Sequence, residues 1–302
     1  MAQMVANAGI DVSKQWLDVA LWSKRNEALR CRRDAAGLME LAAWLREHRV
    51  VRVGLEASGG YERDVVDALE AQGFEVALLN PLKVRRFAQA KGRLAKNDRV
   101  ERTIAHFMSV MVEGPQLSRR RELDVLSEHL TYRRPLRAWI DDCTNQLEHL
   151  RDKALRRKTE ARQLKLQAEL KAHEKVLAKL IALHEDWNEL AKRLCTVPGV
   201  GPVLSQTLIA LLPELGSLSR RAIASLAGVA PFDDDSGQRS GNRRIQGGRA
   251  AVREALYMAT LSARTWNPVI AAFAKRLAGK EFKVVMVACM RKLLVILNNH
   301  GA

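Results

Sequence analysis

The sequence is short of cysteine, aromatic residues, acid and long apolar runs, and each shortage excludes something. Cys31, Cys143, Cys195 and Cys289 are scattered, and no two form a Cys-x-x-Cys pair. A disulfide framework or zinc ribbon is therefore not expected, and a reducing cytoplasm fits. Aromatics make up 5% of the chain, too few for a base-stacking single-strand binder. No apolar run approaches the length of a spanning helix, so no membrane partner is expected. Met1 to Val5 lacks the charged and apolar regions of a signal peptide. The expected location is therefore the cytoplasm. Acid is the telling deficit. Lys and Arg number 50 against 34 Asp and Glu, a formal charge of +16 on 302 residues, with a pI near 10.1. Such a field draws polyanions, and with membranes set aside the expected partner is nucleic acid.

What is present divides the chain into three domains. In residues 1–112, strands are predicted at 5–12, 16–22, about 28–32, 50–55 and 74–79. Helices are predicted at 37–48, 62–71 and 98–111, from their three- and four-residue apolar spacing. Ser58-Gly59-Gly60 breaks the chain, and Asn80-Pro81 reads as a turn. Three leading strands followed by alternating helices and strands predict a mixed α/β sheet with helices on both faces. A purely parallel doubly wound sheet is the alternative, but no G-x-G-x-x-G follows the first strand.

Residues 113–195 change character, with no glycine from 115 to 195. Leu166, Leu170, His173, Leu177, Leu180, His184, Trp187, Ala191 and Leu194 alternate four- and three-residue steps. This heptad seam suits a coiled coil that oligomerises the protein, or equally a helical hairpin within one chain. Residues 196–302 are again mainly helical, with Gly/Pro punctuation and a polar loop at 232–248.

Three constellations carry chemistry. Asp11 ends the first strand, Glu56 follows the Val50–Leu55 strand, and Asp98 and Glu101 share a face at a helix start. Gathered at one sheet edge, these carboxylates repel unless a hard divalent cation joins them, and such a cluster can hold two Mg²⁺ ions that polarise a phosphodiester. Singly, each reads as a turn residue, a solvated strand end, or a helix cap with its capping-box partner. Second, Pro198-Gly199-Val200-Gly201 precedes the apolar helix 203–212. A helix-hairpin-helix-like turn at Gly199 and Gly201 offers backbone N–H groups to a DNA phosphate, though an ordinary helix–helix turn has the same letters. Third, residues 238–253 hold Arg239, Arg243, Arg244, Arg249 and Arg253 and no acid, with Gly237, Gly241, Gly247 and Gly248 keeping the backbone open. Guanidinium forks suit phosphate oxygens. Ser236 and Ser240 stand in this field either as a nucleophile on phosphorus or as plain hydrogen-bond donors.

In this order the three features resemble the DEDD transposases of bacterial insertion sequences, the insertion-sequence one-ten family. The resemblance runs through GIDVSKQWLDVAL at 9–21, LEASGGYERDVVDAL at 55–69 and NPLKVRRFAQAKGRLAKNDRVERTIAHF at 80–107. It resumes at 196–216, 225–263 and 267–294. It implies an α/β ribonuclease-H-like, RuvC-like N-terminal domain over 1–112 and a coiled-coil middle over 113–195. A mainly α transposase domain over 196–302 completes it. The family's acidic tetrad falls on Asp11, Glu56, Asp98 and Glu101, the last a departure from the usual aspartate, with Mg²⁺ as cofactor. Its nucleophilic serine falls on Ser236, with Ser240 the alternative register. The resemblance further implies donor and target DNA as substrates, a structured noncoding guide RNA, and a homo-oligomer in which the acidic domain of one protomer meets the serine domain of another. The rival readings are a hydrolytic resolvase-like nuclease and a non-catalytic nucleic-acid-binding protein.

Overall fold

Alternation builds the first sheet. In Ala6–Val12 (β1), Ala8, Ile10 and Val12 are buried together with Leu17, Val19 and Leu21 of Trp16–Leu21 (β2). Such a period of two sends one set of side chains to each face. The computed structural model of the protein describes residues 6–22, 27–91, 100–111, 121–232 and 244–301. The next elements are Ala28–Arg32 (β3), Ala35–Glu47 (α1), Val50–Glu56 (β4), Arg63–Ala71 (α2) and Glu75–Leu79 (β5), followed by Pro81–Ala90 (α3) and Val100–Met111 (α4). The five strands form one sheet in the order β3-β2-β1-β4-β5. The pairs β1–β2 and β2–β3 are antiparallel, β1–β4 and β4–β5 parallel. The mixed sheet is as expected, and the purely parallel alternative is excluded.

One face of the sheet is covered by α1 and α2, through Leu41, Leu45, Val65, Val66 and Leu69. On the other face α4 lies directly on the strands. Gly9 pairs with Ala20 on one side and Gly54 on the other, and Gly54 pairs with Ala77. This row of small residues makes a flat bed. A methyl group at Gly9 would overlap the carbonyl of Glu101 and the backbone nitrogen of Ala105, and one at Gly54 would sit 2.5 Å from Cγ of Met108. Ile104, Phe107 and Met108 then pack with Ala77, Leu79 and Val84.

Helix α3 differs from the expected turn at Asn80-Pro81. Proline is tolerated at the first helical position because its missing N–H has no intrahelical partner there. Here Pro81 opens the helix, and the Asn80 carbonyl accepts from Lys83 and Val84.

The chain divides into two compact units, Met1–Arg119 and Arg120–Ala302. In the second, Arg121–His149 (α5) and Lys153–Ala182 (α6) form an antiparallel hairpin, followed by Glu185–Cys195 (α7), Pro202–Leu211 (α8) and Arg220–Leu226 (α9). Then come the short antiparallel strands Pro231–Phe232 (β6) and Arg244–Ile245 (β7), and the helices Ala250–Trp266 (α10), Pro268–Arg276 (α11) and Phe282–Gly301 (α12). The core of this unit gathers Leu204, Leu208, Leu256, Leu293 and Leu294.

The heptad seam is spent inside the chain. Leu166 and Leu170 pack on Leu136 and Ile140 of α5, and Leu177 and Ile181 on Leu126 and Leu130. His173 Nε2 lies 2.8 Å from the His129 carbonyl oxygen. The seam is also broken near His184, where α6 ends and α7 begins. Of the two readings of this spacing, the described residues adopt the intramolecular hairpin, because α5 supplies the apolar stripe that a second copy would otherwise provide.

Candidate functional site

By the strand period, Asp11 shares its face with Gly9, and Glu56 shares its face with Gly54, on the side of the sheet where α4 lies. Since Ile10 pairs with Leu55 in parallel register, Asp11 and Glu56 come side by side at the carboxyl ends of neighbouring strands. Both are half-buried. Burial raises the carboxyl pKa of Asp11, and the charge of Asp18 raises it further, against a backbone hydrogen bond with Val12 that lowers it. Burial likewise raises Glu56, helped by the Asp11 charge. The two acids thus feel each other electrostatically.

Asp18 was not singled out from the sequence. It pairs directly with Asp11 across the β1–β2 hairpin and lies 3.6 Å from the Arg30 guanidinium on β3. The signal was present in the short Ser13–Trp16 connection, whose Ser13 N–H bonds the Trp16 carbonyl. That closure sets the register that brings the two aspartates opposite one another.

Glu101 begins α4 and is 8% exposed, with its backbone carbonyl against Gly9. The bed therefore brings the start of α4 to the strand that carries Asp11. Asp98 lies outside the described residues. Among the described residues, no three of His, Cys, Asp and Glu form a group able to hold a metal ion. Asp11 and Glu56 are two adjacent hard oxygen donors disfavoured as bare anions, an arrangement that a divalent cation could relieve.

The connection after Glu56 is built around a second acid missed from the sequence. One oxygen of buried Glu62 accepts hydrogen bonds from the Ser58 N–H at 3.0 Å, the Ser58 hydroxyl at 2.8 Å and the Gly60 N–H at 2.8 Å. Burial pushes its pKa up, but a hydrogen bond with its own backbone N–H, together with these bonds, outweighs burial and holds it below the usual range. Ser58-Gly59-Gly60 is thus a clasped turn. A carboxylate four residues beyond Ser58 was its sequence signal.

The C-terminal candidates separate. Ser236, Ser240, Arg239 and Arg243 lie outside the described residues. Arg244 is exposed on β7. Arg249 makes a bidentate pair with Glu214, and Arg253 donates to the Gly247 carbonyl at 2.8 Å. Gly248 abuts Gly228 backbone to backbone, so this glycine serves close packing as well as an open loop. Gly199, at φ 91°, lies where a Cβ would be 2.5 Å from the α10 backbone at Ala263. Packing on α10 thus accounts for that glycine. Gly201 caps α8, and a Cβ there would meet open space.

Two family models match the chain. Residues 8–157 match the DEDD transposase model of the IS110 type, and residues 191–275 match "Transposase IS116/IS110/IS902 family". The chain is also similar to two proteins named pilin gene-inverting protein. That of Moraxella bovis is 24% identical and that of Moraxella lacunata 23%, each over 313 residues covering 95% of this chain and 93% of the relative. The mixed sheet with acids at its strand ends, the largely helical remainder and these matches agree: the chain belongs to the IS110-type family of DEDD transposases.

Proposed function

We propose that the protein cuts and rejoins DNA strands at two cooperating centres, an acidic one that holds Mg²⁺ and a serine one that forms a transient bond to DNA. The observation that carries this reading is the juxtaposition of Asp11 and Glu56, half-buried on adjacent parallel strands with both pKa values raised. Asp98 and Glu101 complete the acidic set in this reading, in a RuvC-like domain. When bound there, divalent metal supplies charge neutralisation at a phosphodiester. In this reading Asp11 and Glu56 would hold it, and Glu101, on the helix α4 that is seated on Gly9, would join them.

In the exchange step the Ser236 hydroxyl oxygen bonds to phosphorus, one phosphorus–oxygen bond to deoxyribose breaks, and the leaving oxygen takes up a proton. Attack by the hydroxyl of the incoming strand reverses these changes and frees the serine, so the number of phosphodiesters is conserved. Of the described arginines in 238–253, Arg244 is the one free to meet phosphate, while Gly201 at the head of α8, in a helix-hairpin-helix-like turn with Gly199, offers a backbone contact. A structured RNA that pairs with donor and target DNA, and an oligomer that brings serine and acid from different protomers, belong to the same reading. The family match and the charge of +16 support it.

The test is a denaturing gel of labelled DNA after reaction in Mg²⁺, with peptide mapping of any linked fragment and sequencing of co-purified RNA. A DNA adduct at Ser236, lost in Ser236→Ala and in Asp11→Asn, is expected. Hydrolysed ends without an adduct would shift the reading to a resolvase-like nuclease. Binding without cleavage would leave a non-catalytic nucleic-acid binder.

A further inference from the structure

Two cavities of the second unit are lined by clusters of cations, and the clusters differ in how their charge is met. In a cavity of about 500 Å³ beside α5 and α10, Arg133, Arg134 and Arg137 line the wall. Each is paired, with Glu174 at 2.6 Å, Glu254 at 2.7 Å and Asp141 at 2.8 Å respectively. That charge is compensated within the fold. The other cavity, of about 1030 Å³, lies between the β6–β7 ribbon, α11 and the first half of α12. Arg244, Lys280, Lys283 and Arg291 line it against the single acid Glu281. None of the four cations is ion-paired with a described residue.

We propose that this groove binds the sugar–phosphate backbone of a DNA strand, a role that rests on the reading above and extends it to residues outside both centres. Lys283 and Arg291 are eight residues apart on one helix, about 12 Å. That separation lets the two cations reach different phosphates of one strand, each of which rises about 3.4 Å along the duplex axis while winding around it. Between them the same helical face carries Val284, Val287 and Ala288 into the groove. These side chains can cover deoxyribose but offer no hydrogen bond to a 2′-hydroxyl, so the lining favours DNA over RNA. Unpaired cations in a concave wall release counterions from a polyanion without first breaking an internal ion pair. The groove is edged by Pro231 and Arg244, which stand on either side of the segment holding Ser236 in the sequence. A strand held here therefore lies beside the points where that segment leaves and rejoins the described chain.

The test uses the full chain and fluorescence anisotropy on a labelled DNA duplex and an RNA duplex of the same sequence, across a salt series. Lys283→Gln with Arg291→Gln should weaken DNA binding about tenfold at fixed salt and make the log–log salt slope shallower by about two. Lys283→Arg with Arg291→Lys should restore both. Lys165→Gln with Lys171→Gln, which removes equal charge from exposed positions of α6, should leave DNA affinity within about twofold. An unchanged affinity and slope in the groove variant, an equal loss in the α6 variant, or a loss on RNA without one on DNA would each overturn the proposal. These are binding measurements. If the wild type binds DNA but yields no adduct and no cleavage, the enzymatic reading fails while the groove stands.

Discussion

Arg249 grips Glu214 through two parallel hydrogen bonds, Nη1 to Oε2 at 2.6 Å and Nη2 to Oε1 at 2.8 Å. An arginine that reads as a phosphate ligand in the sequence is thereby tied into the fold, fastening the start of α10 to the connection after α8. Burial pushes the Glu214 pKa up, and the Arg249 bonds overcome this and lower it. A lowered acid pKa contributes stability that is present above the ordinary glutamate value, about 4.3, and is lost as pH falls through the lower folded value. Arg249→Gln is expected to cost about 1–3 kcal/mol near neutrality, and the difference from wild type should shrink in acid. Denaturant unfolding at the two pH values checks this. If Arg249→Gln leaves stability unchanged but weakens DNA binding as much as Arg244→Gln does, the structural role is wrong.

Asp11 and Glu56 have the opposite sign. Their raised pKa values mean that the folded state holds protons the unfolded state has released. Stability is then greatest below the ordinary carboxylate range, about 4, and falls as pH rises through the folded values. Asp11→Asn and Glu56→Gln are expected to raise the melting temperature at neutral pH while abolishing cleavage, the trade expected where function keeps like charges together. Added Mg²⁺ should stabilise the wild type by mass action and have little effect on Asp11→Asn. Thermal melts with and without chelator decide it, and a melting temperature lowered by Asp11→Asn would contradict the repulsion.

Glu62 tests the clasped turn. Glu62→Ala strands three donors and should destabilise the first unit by on the order of 2 kcal/mol. Because the folded pKa of Glu62 is lowered, the stability it adds is present above about 4.3 and disappears as pH falls through its folded value. Glu62→Gln should recover part of the loss at neutral pH. Cleavage by Glu62→Ala should fall even where the protein remains folded, since the turn follows Glu56 directly. Unimpaired cleavage would uncouple the turn from the site.

The helical hairpin makes its own prediction. Leu177 is fully buried against α5, so Leu177→Glu places an unpaired charge in a dry interface and should cost several kcal/mol. Loss of helical signal and early melting of the second unit are the expected readouts. A well-folded variant that merely dissociates in light scattering would instead return the seam to an intermolecular role.

The sheet and its first helix were legible because β1 and β2 set large apolar residues at alternate positions, β4 is rich in β-branched residues, and α1 keeps helical spacing. Asp11 and Glu56 were legible as strand-end acids, while the register that sets them side by side is supplied by the β1–β4 pairing. Other features were hidden by the same letters having two uses. Asn80-Pro81 starts a helix as readily as a turn, and a heptad seam fits a neighbouring helix of the same chain as well as a second copy. Arg249 offers the same fork to carboxylate as to phosphate. Glu62 and Asp18 escaped notice because their signals, a carboxylate four residues after Ser58 and the short Ser13–Trp16 connection, name no partner until folding aims the turn's N–H groups at one and sets the other opposite Asp11.

The glycine and alanine row beneath α4 has a further consequence. Where a helix rests on side chains, rotamers act as shims, and its height can drift as they repack. Over Gly9 the contact is peptide on peptide, and there is nothing left to compress. The seat of residue 101 is therefore set by backbone alone, while its reach is set by side-chain length. If Glu101 serves in the proposed acidic set, exchanging it for aspartate would change the reach by one methylene without disturbing the seat, so the change would be absorbed in the arm of the carboxylate instead of the frame that carries it.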